Sequence, residues 1–397
     1  MTPGSAADSS SPGSNRGGTV VEPTEADLMD PVPEIHADDL ELAQFLRWGR
    51  DLHHQGRYED AAKAYELILG LDRDNEEARI GRNRAVRRVV PRWHWEMLHD
   101  EERAELYDRA IRQAVAANPD ALVLDIGAGS GLLAMMAARA GARQVVACEG
   151  QQAVAETAAR VVRVAGYDDA VSVVPKMSTR MTVPEDLPRR ADLLVTEIVD
   201  CGLLGEGILG TIAHAREHLL TPDATIMPSR GRIIAQLVES EPLHRKNHVG
   251  KLYGFDLAPF NRLSTLEYFD SRLHRHDHRT LSDPLTVFDF DFRTADATPR
   301  RTELRVRPTA AGRLHAIAFW FEMELLPGIT LGNAPGHDSH WKQAIQCLPV
   351  PVLVQPGEPV VLDAAHDGEC VRFTVRTEGA PGAEHNVPEG DVTEAAR

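Results

Sequence analysis

The stretch V-L-D-I-G-A-G-S-G, Val123–Gly131, decides the fold. It joins an apolar run, Ala121–Ile126, to a helical pattern of small apolar residues, Ser130–Ala140. A strand that turns through glycines into a helix start brings backbone N–H groups close to a ligand. A second apolar run, Gln144–Cys148, follows, then a helical pattern over Gln152–Ala165. Ala170–Val174 and Ala191–Val195 repeat the strand pattern, and Ile208–Leu220 repeats the helical one. This alternation predicts an open parallel sheet with helices on both faces, an α/β Rossmann-like domain.

The glycine spacing narrows the ligand. A dinucleotide fingerprint has G-x-G-x-x-G, whereas this chain has G-x-G-x-G preceded by Asp125. Glu149 stands at the end of the second predicted strand, where an acid binds ribose hydroxyls. The D-x-G-x-G-x-G form resembles the S-adenosylmethionine loop of class I methyltransferases.

Downstream, T-E-I-V-D-C-G-L-L-G-E-G, Thr196–Gly207, places Glu197 and Glu206 nine positions apart on one loop. Two carboxylates on opposite arms of a turn can grip a planar cation, and a guanidinium fork matches them best. The Asn/Asp-Pro-Pro-aromatic tetrad of enzymes that methylate base or glutamine amino groups is absent at this strand end. So is a Pro-Cys nucleophile for cytosine chemistry.

The chain has 397 residues, 43% hydrophobic content and a formal charge of −17. That balance argues against direct nucleic-acid binding. Much of the charge lies at the ends: residues 1–40 carry eight acids against Arg16, and residues 378–397 five against Arg397. No apolar run is long enough to cross a membrane, and the Ser/Gly/Pro-rich start is not a secretory signal. Four scattered cysteines without a C-x-x-C pair fit a reducing, cytoplasmic setting.

Residues 1–36 and 378–397 read as disordered tails. Within residues 37–90, Gly56–Ala78 resembles one tetratricopeptide repeat, with packing positions at Tyr58, Ala61, Ala62, Tyr65 and Leu69. One copy reads equally as a helical hairpin or a peptide-binding module. Residues 91–227 form the Rossmann-like domain, with Asp100 opening a helix over 100–117. Residues 228–377 turn to short β-rich runs separated by Pro/Gly turns, predicting an antiparallel β-barrel. The run Leu273–His278 alternates His274, His276 and His278, a metal spacing or a polar loop, of which the loop is favoured.

Over roughly residues 91–377 the chain resembles the protein arginine methyltransferase family. The cofactor segment from Val123 looks like that family's first motif, and Glu197 and Glu206 match its double-E loop. Ser339–Gln343, S-H-W-K-Q, resembles its Thr-His-Trp loop. Lys251–Leu257 resembles part of its dimerisation arm, here near 241–265, and Glu96–Arg103 its cofactor-lidding helix. The wording is closest to the monomethylating and symmetric-dimethylating subgroups.

The resemblance implies roles. Asp125, Gly127 and Gly129 shape the cofactor loop, Glu149 binds ribose, and Arg103 pairs with the methionine carboxylate. His94 contacts the cofactor, Met177 and Ser178 flank the adenine, and Met97 borders the methyl group. Glu197 and Glu206 hold the guanidinium, His340 pairs with Asp100 to brace the site, and Trp341 lines the substrate channel. Three departures stand out. The upstream Tyr-Phe-x-x-Tyr element is absent, Ser178 stands where many members have Glu, and Ser339 replaces Thr.

The implied partners are an arginine-containing protein or peptide and, through the arm, a second copy of the chain. Alternatives are a small guanidino metabolite or biosynthetic peptide, a ribosomal lysine or α-amine acceptor, and a repeat-led scaffold without catalysis. The double-E loop disfavours the lysine or amine acceptor, and intact Asp125, Glu149, Glu197 and Glu206 argue against the scaffold.

Overall fold

A computed structural model describes residues 39–377, so both predicted tails lie outside the described residues. The chain divides into two compact units after Arg88. The first holds three helices, α1 (Asp39–His54), α2 (Tyr58–Leu71) and α3 (Glu76–Val89). Gly56, at φ +76°, makes the turn between α1 and α2.

The core of this unit is built on small residues. Ala61, Ala62, Ala64, Ala78 and Ala85 are buried with Leu52, Tyr65 and Ile68. The Tyr65 ring fits between two helical glycines. A Cβ added at Gly49 would fall 2.8 Å from the ring, and one at Gly81 2.4 Å.

The second unit opens with α4 (Trp93–Leu98) and α5 (Glu101–Ala117), the latter capped by Asp100. Five parallel strands follow: β1 (Leu122–Ile126), β2 (Gln144–Cys148), β3 (Val171–Val174), β4 (Ala191–Thr196) and β5 (Leu220–Met227). Their order is β3-β2-β1-β4-β5. Between them run α6 (Leu132–Arg139), α7 (Gln152–Val164) and α8 (Ile208–His218). Central β1 is buried at all five positions, as a strand covered on both faces must be. Successive strands are added on one side of β1 up to β3 and on its other side from β4, and ligands bind at such a switch point, beyond the carboxyl ends of the strands.

The C-terminal part is antiparallel. It runs from β6 (Arg230–Glu239) through α9 (Glu241–His244), the two-residue strands β7 (Lys251–Leu252) and β8 (Phe255–Asp256), β9 (Phe269–Ser271) and β10 (Arg279–Thr280). It continues with β11 (Leu285–Asp291), β12 (Arg300–Val306), β13 (Gly312–Leu326) and β14 (Ile329–Gly332). It closes with β15 (Gln343–Val354), β16 (Val360–His366) and β17 (Val371–Thr377).

One sheet has the order β10-β6-β13-β15-β9, and a second the order β12-β16-β17. Gln346 of β15 joins the two sheets, because its side-chain amide both donates to and accepts from the Phe373 backbone of β17. The result is a β-rich, barrel-like domain. Strands β12 and β17 carry exposed charged or polar side chains between less exposed ones and do not read as apolar runs, whereas β16 is almost wholly buried. Among the described residues no helix is long and apolar enough to cross a membrane.

The Tyr65 sandwich sets two effects against each other. Gly81→Ala adds helix propensity of about 1 kcal/mol. It also drives a methyl into a rigid ring already in contact, and overpacking costs about 1–3 kcal/mol. A methyl carbon only 2.4 Å from an aromatic ring makes the second effect win. Amide exchange across α1–α3 is expected to accelerate in Gly81→Ala; unchanged or slower exchange would show that the ring moves aside freely.

Candidate active site

Two hydrogen-bonded groups form at the carboxyl ends of β1, β2 and β4. The first is the glycine loop. Gly127 and Ala128 both donate backbone N–H to the Cys148 carbonyl at 3.0 Å, which fixes the loop to β2. Gly127, Gly129 and Gly131 all have positive φ. Any side chain at Gly127 would collide with Ile198, its Cβ falling 2.5 Å from Cγ2.

Around Gly129 the space is open, and its N–H donates to a Glu149 carboxylate oxygen at 3.1 Å. The other Glu149 oxygen accepts from the Gln151 N–H at 2.8 Å. Asp125 is buried at the end of β1, and neither of its oxygens has a hydrogen-bond partner. Burial first, and the charge of Glu149 later, push its carboxyl up to about 7, against the Ala134 amide and Arg103.

Ser178 is buried at the start of a single 3₁₀ turn, and the Met177 thioether lies over Gly150. His94 is engaged locally, its ring stacked on Trp93 at 3.8 Å and its Nδ1 3.1 Å from the Pro91 carbonyl. Met97 is half-buried in α4.

The second group centres on Asp100. One carboxylate oxygen accepts the Arg103 N–H at 3.0 Å, capping α5. The other accepts the His340 N–H at 2.9 Å and lies 2.9 Å from the His340 ring Nδ1. The Ser339 hydroxyl sits 3.3 Å from the same oxygen and also accepts from the Trp341 N–H at 3.2 Å. Serine thus supplies the hydroxyl that the family's threonine would bring.

Burial acts to raise the Asp100 pKa. The His340 ring, the His340 amide and the Arg103 amide outweigh it and hold the carboxyl well below the usual range. Burial lowers the His340 pKa despite its bond to Asp100. The ring is therefore neutral near pH 7 and donates from Nδ1, leaving Nε2 as a bare acceptor 4.0 Å from Glu197.

Arg103 reaches from the first turn of α5 to the residue that follows β4. Its guanidinium pairs directly with Glu197 and lies over the Tyr107 ring at 5.7 Å. Nε and Nη1 are buried without a partner. Buried unpaired donors cost free energy, so these two N–H groups stand ready for an anion. Tyr107 donates to the Thr196 carbonyl at 3.0 Å, and Thr196 donates to the Ile126 carbonyl at 2.8 Å. These bonds hold the end of β4, and so Glu197, against α5 and β1.

The loop from Glu197 to Glu206 is anchored by three side chains of the C-terminal domain. Trp341 Nε1 donates to the Val199 carbonyl at 3.0 Å. Asn333, fully buried, donates to the Cys201 carbonyl at 3.0 Å. Tyr268 donates its hydroxyl to Asp200 at 2.6 Å.

Trp341 is itself buried, edge-on to Phe321, and stands behind the loop. Glu206 faces solvent in part. The surrounding protein, then Asp200 and Glu149, push its carboxyl up to about 7.

Tyr107, Asp200, Tyr268 and Asn333 were not singled out from sequence. Only Asp200 carried a signal, an Asp followed by glycines two and five positions on, a local turn pattern. Of the histidine run, His276 shares a polar cluster with Ser271 and Lys246 at 2.9 and 3.2 Å. Among the described residues no group of three or more ligand-type side chains is arranged to hold a metal.

The cradle fits S-adenosylmethionine. Gly129 leaves open space, Glu149 presents a carboxylate just beyond the end of β2, and Arg103 offers two unpaired donors.

Comparisons with known proteins point the same way. Residues 229–369 match the arginine methyltransferase oligomerization subdomain, and residues 108–229 match the ribosomal protein L11 methyltransferase family. An arginine N(omega)-methyltransferase of Streptomyces achromogenes subsp. streptozoticus is 43% identical over 291 residues, covering 73% of this chain and 80% of that protein. Protein arginine N-methyltransferase 7 of Drosophila ananassae is 33% identical over 327 residues, covering 71% of this chain. The match spans 47% of that longer protein.

In fold, the chain is similar to the Trypanosoma brucei PRMT1 enzyme–prozyme complex with AdoHcy (TM-score 0.64, 24% identity, 72% of this chain and 93% of that one). It is also similar to Arabidopsis thaliana protein arginine methyltransferase 10 (TM-score 0.57, 20% identity, 70% and 96%). The chain belongs to the arginine N-methyltransferase family.

Proposed function

We propose that the protein is an S-adenosylmethionine-dependent N-methyltransferase acting on the guanidino group of arginine in a protein or peptide. One observation carries this reading. Glu197 and Glu206 flank one anchored loop beside the Gly127–Gly129–Glu149 cradle and the two free donors of Arg103.

Asp125, Gly127 and Gly129 would shape the cofactor loop, and Glu149 would take the ribose hydroxyls. Arg103 Nε and Nη1 would meet the methionine carboxylate. Ser178 and Met177 would flank the adenine, and His94 and Met97 would close over the methionine side. When bound, the cofactor supplies an electrophilic methyl group.

The chain's own residues do the rest. Arginine is permanently protonated, and its nitrogens are poor nucleophiles. Glu197 and Glu206 draw positive charge toward the nitrogens they touch and hold the third in line, a gain through orientation. Glu206 would take the proton that this nitrogen loses as the N–C bond forms and the bond between that methyl and the sulfonium sulfur breaks, its electron pair leaving with the sulfur as a thioether. Arg103 offsets part of the Glu197 charge before substrate enters. Asp100 and His340 hold the wall behind Glu197.

A small guanidino acceptor such as free arginine is the second reading. The Streptomyces relative, at 43% identity, is named for arginine without the word protein. Free arginine assayed beside an arginine-peptide library separates the two.

The finer assignments rest on lighter support. The three N-terminal helices, with Tyr65 as their packing centre, favour a tetratricopeptide-like unit. A homodimer is favoured by the arm, where Tyr253, Phe255, Phe260 and Leu263 are all more than two-thirds exposed. Likeness to the type 7 relatives favours the monomethylating or symmetric-dimethylating subgroups. The four free thiols fit a cytoplasmic setting, and the charge of −17 argues against nucleic acid as a partner.

Three outcomes are expected. Glu197→Gln and Glu206→Gln each lower turnover by roughly 10²-fold or more while calorimetric binding of S-adenosylmethionine persists; wild-type turnover in both would sink the clamp. Because the surrounding protein and the Asp200 and Glu149 charges push the Glu206 carboxyl up to about 7, and it acts as the carboxylate, kcat/KM is expected to rise with pH through that region. A profile flat from pH 5 to 9 would remove Glu206 as proton acceptor. Tyr253→Asp with Phe255→Asp yields a monomer by light scattering, whereas an unchanged mass would take the arm out of the interface.

A further inference from the structure

Asp200 stands between the two glutamates but belongs to neither end of the clamp. One of its oxygens accepts the N–H of Gly202 at 3.1 Å and that of Gly205 at 2.9 Å. The other accepts the Tyr268 hydroxyl at 2.6 Å. A single carboxylate therefore ties together the start and the end of the turn that delivers Glu206.

The packing around it leaves no slack. A Cβ at Gly205 would fall 2.5 Å from the Asp200 carboxyl carbon, and one at Gly202 2.9 Å from the Tyr268 ring. Leu203, between them, holds φ +81° with its side chain fully buried. A left-handed leucine is strained and persists only where its surroundings over-determine it. Tyr268 is set in turn by Phe319, its ring edge-on at 5.0 Å to a fully buried neighbour.

We propose that Asp200 and Tyr268 form a positioning strut that holds Glu206 in register with Glu197. The inference rests on the reading of those glutamates as the guanidinium clamp.

Asp200 also places a fixed negative charge near Glu206 and, after burial, is the leading cause of its raised proton affinity. Glu149 acts on Glu206 from β2. The turn between β16 and β17 brings Glu369, 3.9 Å from where a Cβ on Gly207 would lie, and Cys370 beside Asp200. The segment before β9 brings Glu267 and Tyr268. Arg372 and Lys342 supply positive charge to the same neighbourhood, acting on Cys370 and Cys201. Burial and the Asp200 charge hold the Tyr268 hydroxyl protonated, so it stays a donor.

Two near-isosteric changes separate position from charge. Tyr268→Phe deletes the strut and leaves the charge. Asp200→Asn keeps the shape and deletes the charge. With arginine peptides or free arginine as substrate, Tyr268→Phe is expected to lower kcat by about 10- to 100-fold, a misplacement effect. Its pH midpoint and its KM for S-adenosylmethionine stay at wild-type values. Asp200→Asn moves the midpoint of kcat/KM to lower pH. Independently of substrate, peptides spanning 199–206 exchange hydrogen faster in Tyr268→Phe while those of β1 and β4 do not.

Wild-type kcat and exchange in Tyr268→Phe overturn the strut, and an unmoved midpoint in Asp200→Asn overturns only the part assigned to the Asp200 charge. Glu206→Gln is run in parallel. Inactive Glu206→Gln beside wild-type strut variants rejects only the strut, whereas active Glu206→Gln rejects the clamp itself.

Discussion

The buried carboxylate of Asp100 accepts from the first turn of α5 on one side and from the Ser339–Trp341 segment on the other. Those elements belong to different domains, and this carboxylate joins them directly. The carboxylate can remain charged there because four donors surround it, and a charge-assisted bond to a buried acid is worth more than a neutral one. Arg103 starts from that cap, Glu197 pairs with Arg103, and His340 is held in its donor tautomer. Loss of the Asp100 charge would release the helix start and the loop together.

Around this bond the site is built from opposed demands. Arg103 and Glu197 are both about 5% exposed, and a buried pair is stable only while each retains its partner. The pairing gives Glu197 a fixed place before substrate arrives. It also leaves part of the Arg103 fork unused. One guanidinium thus holds Glu197 while keeping two N–H donors free. Glu206, by contrast, pairs with no cation and keeps its affinity for a proton.

How far the chain was legible follows the range of the interactions. The glycine loop could be read because positive φ restricts its positions to glycine, and because strand and helix periods alternate around it. The Asp100 cap lies within one helical turn and could be read as well. Strand β15 is longer than its apolar run suggested, because it begins in the segment that follows the Ser-His-Trp motif. The anchors on the clamp loop were hidden for a different reason. Asn333 meets Cys201 across 132 positions, and Tyr268 meets Asp200 across 68. No local pattern marks a lone buried asparagine or tyrosine as the partner of a distant carbonyl or acid. The Arg103–Glu197 pair escaped notice because each residue already had a role.

The span between Asp100 and the Ser339–Trp341 segment has a consequence for synthesis. His340 lies 240 positions beyond Asp100, so the contact closes after most of the chain has been made. The glycine loop can form while the ribosome is still translating the β-rich part. The clamp cannot, because Val199, Asp200 and Cys201 wait for donors at Trp341, Tyr268 and Asn333. A nascent chain that already holds both glutamates therefore lacks a formed site. Messages cut short before residue 341 yield protein that is silent as well as incomplete.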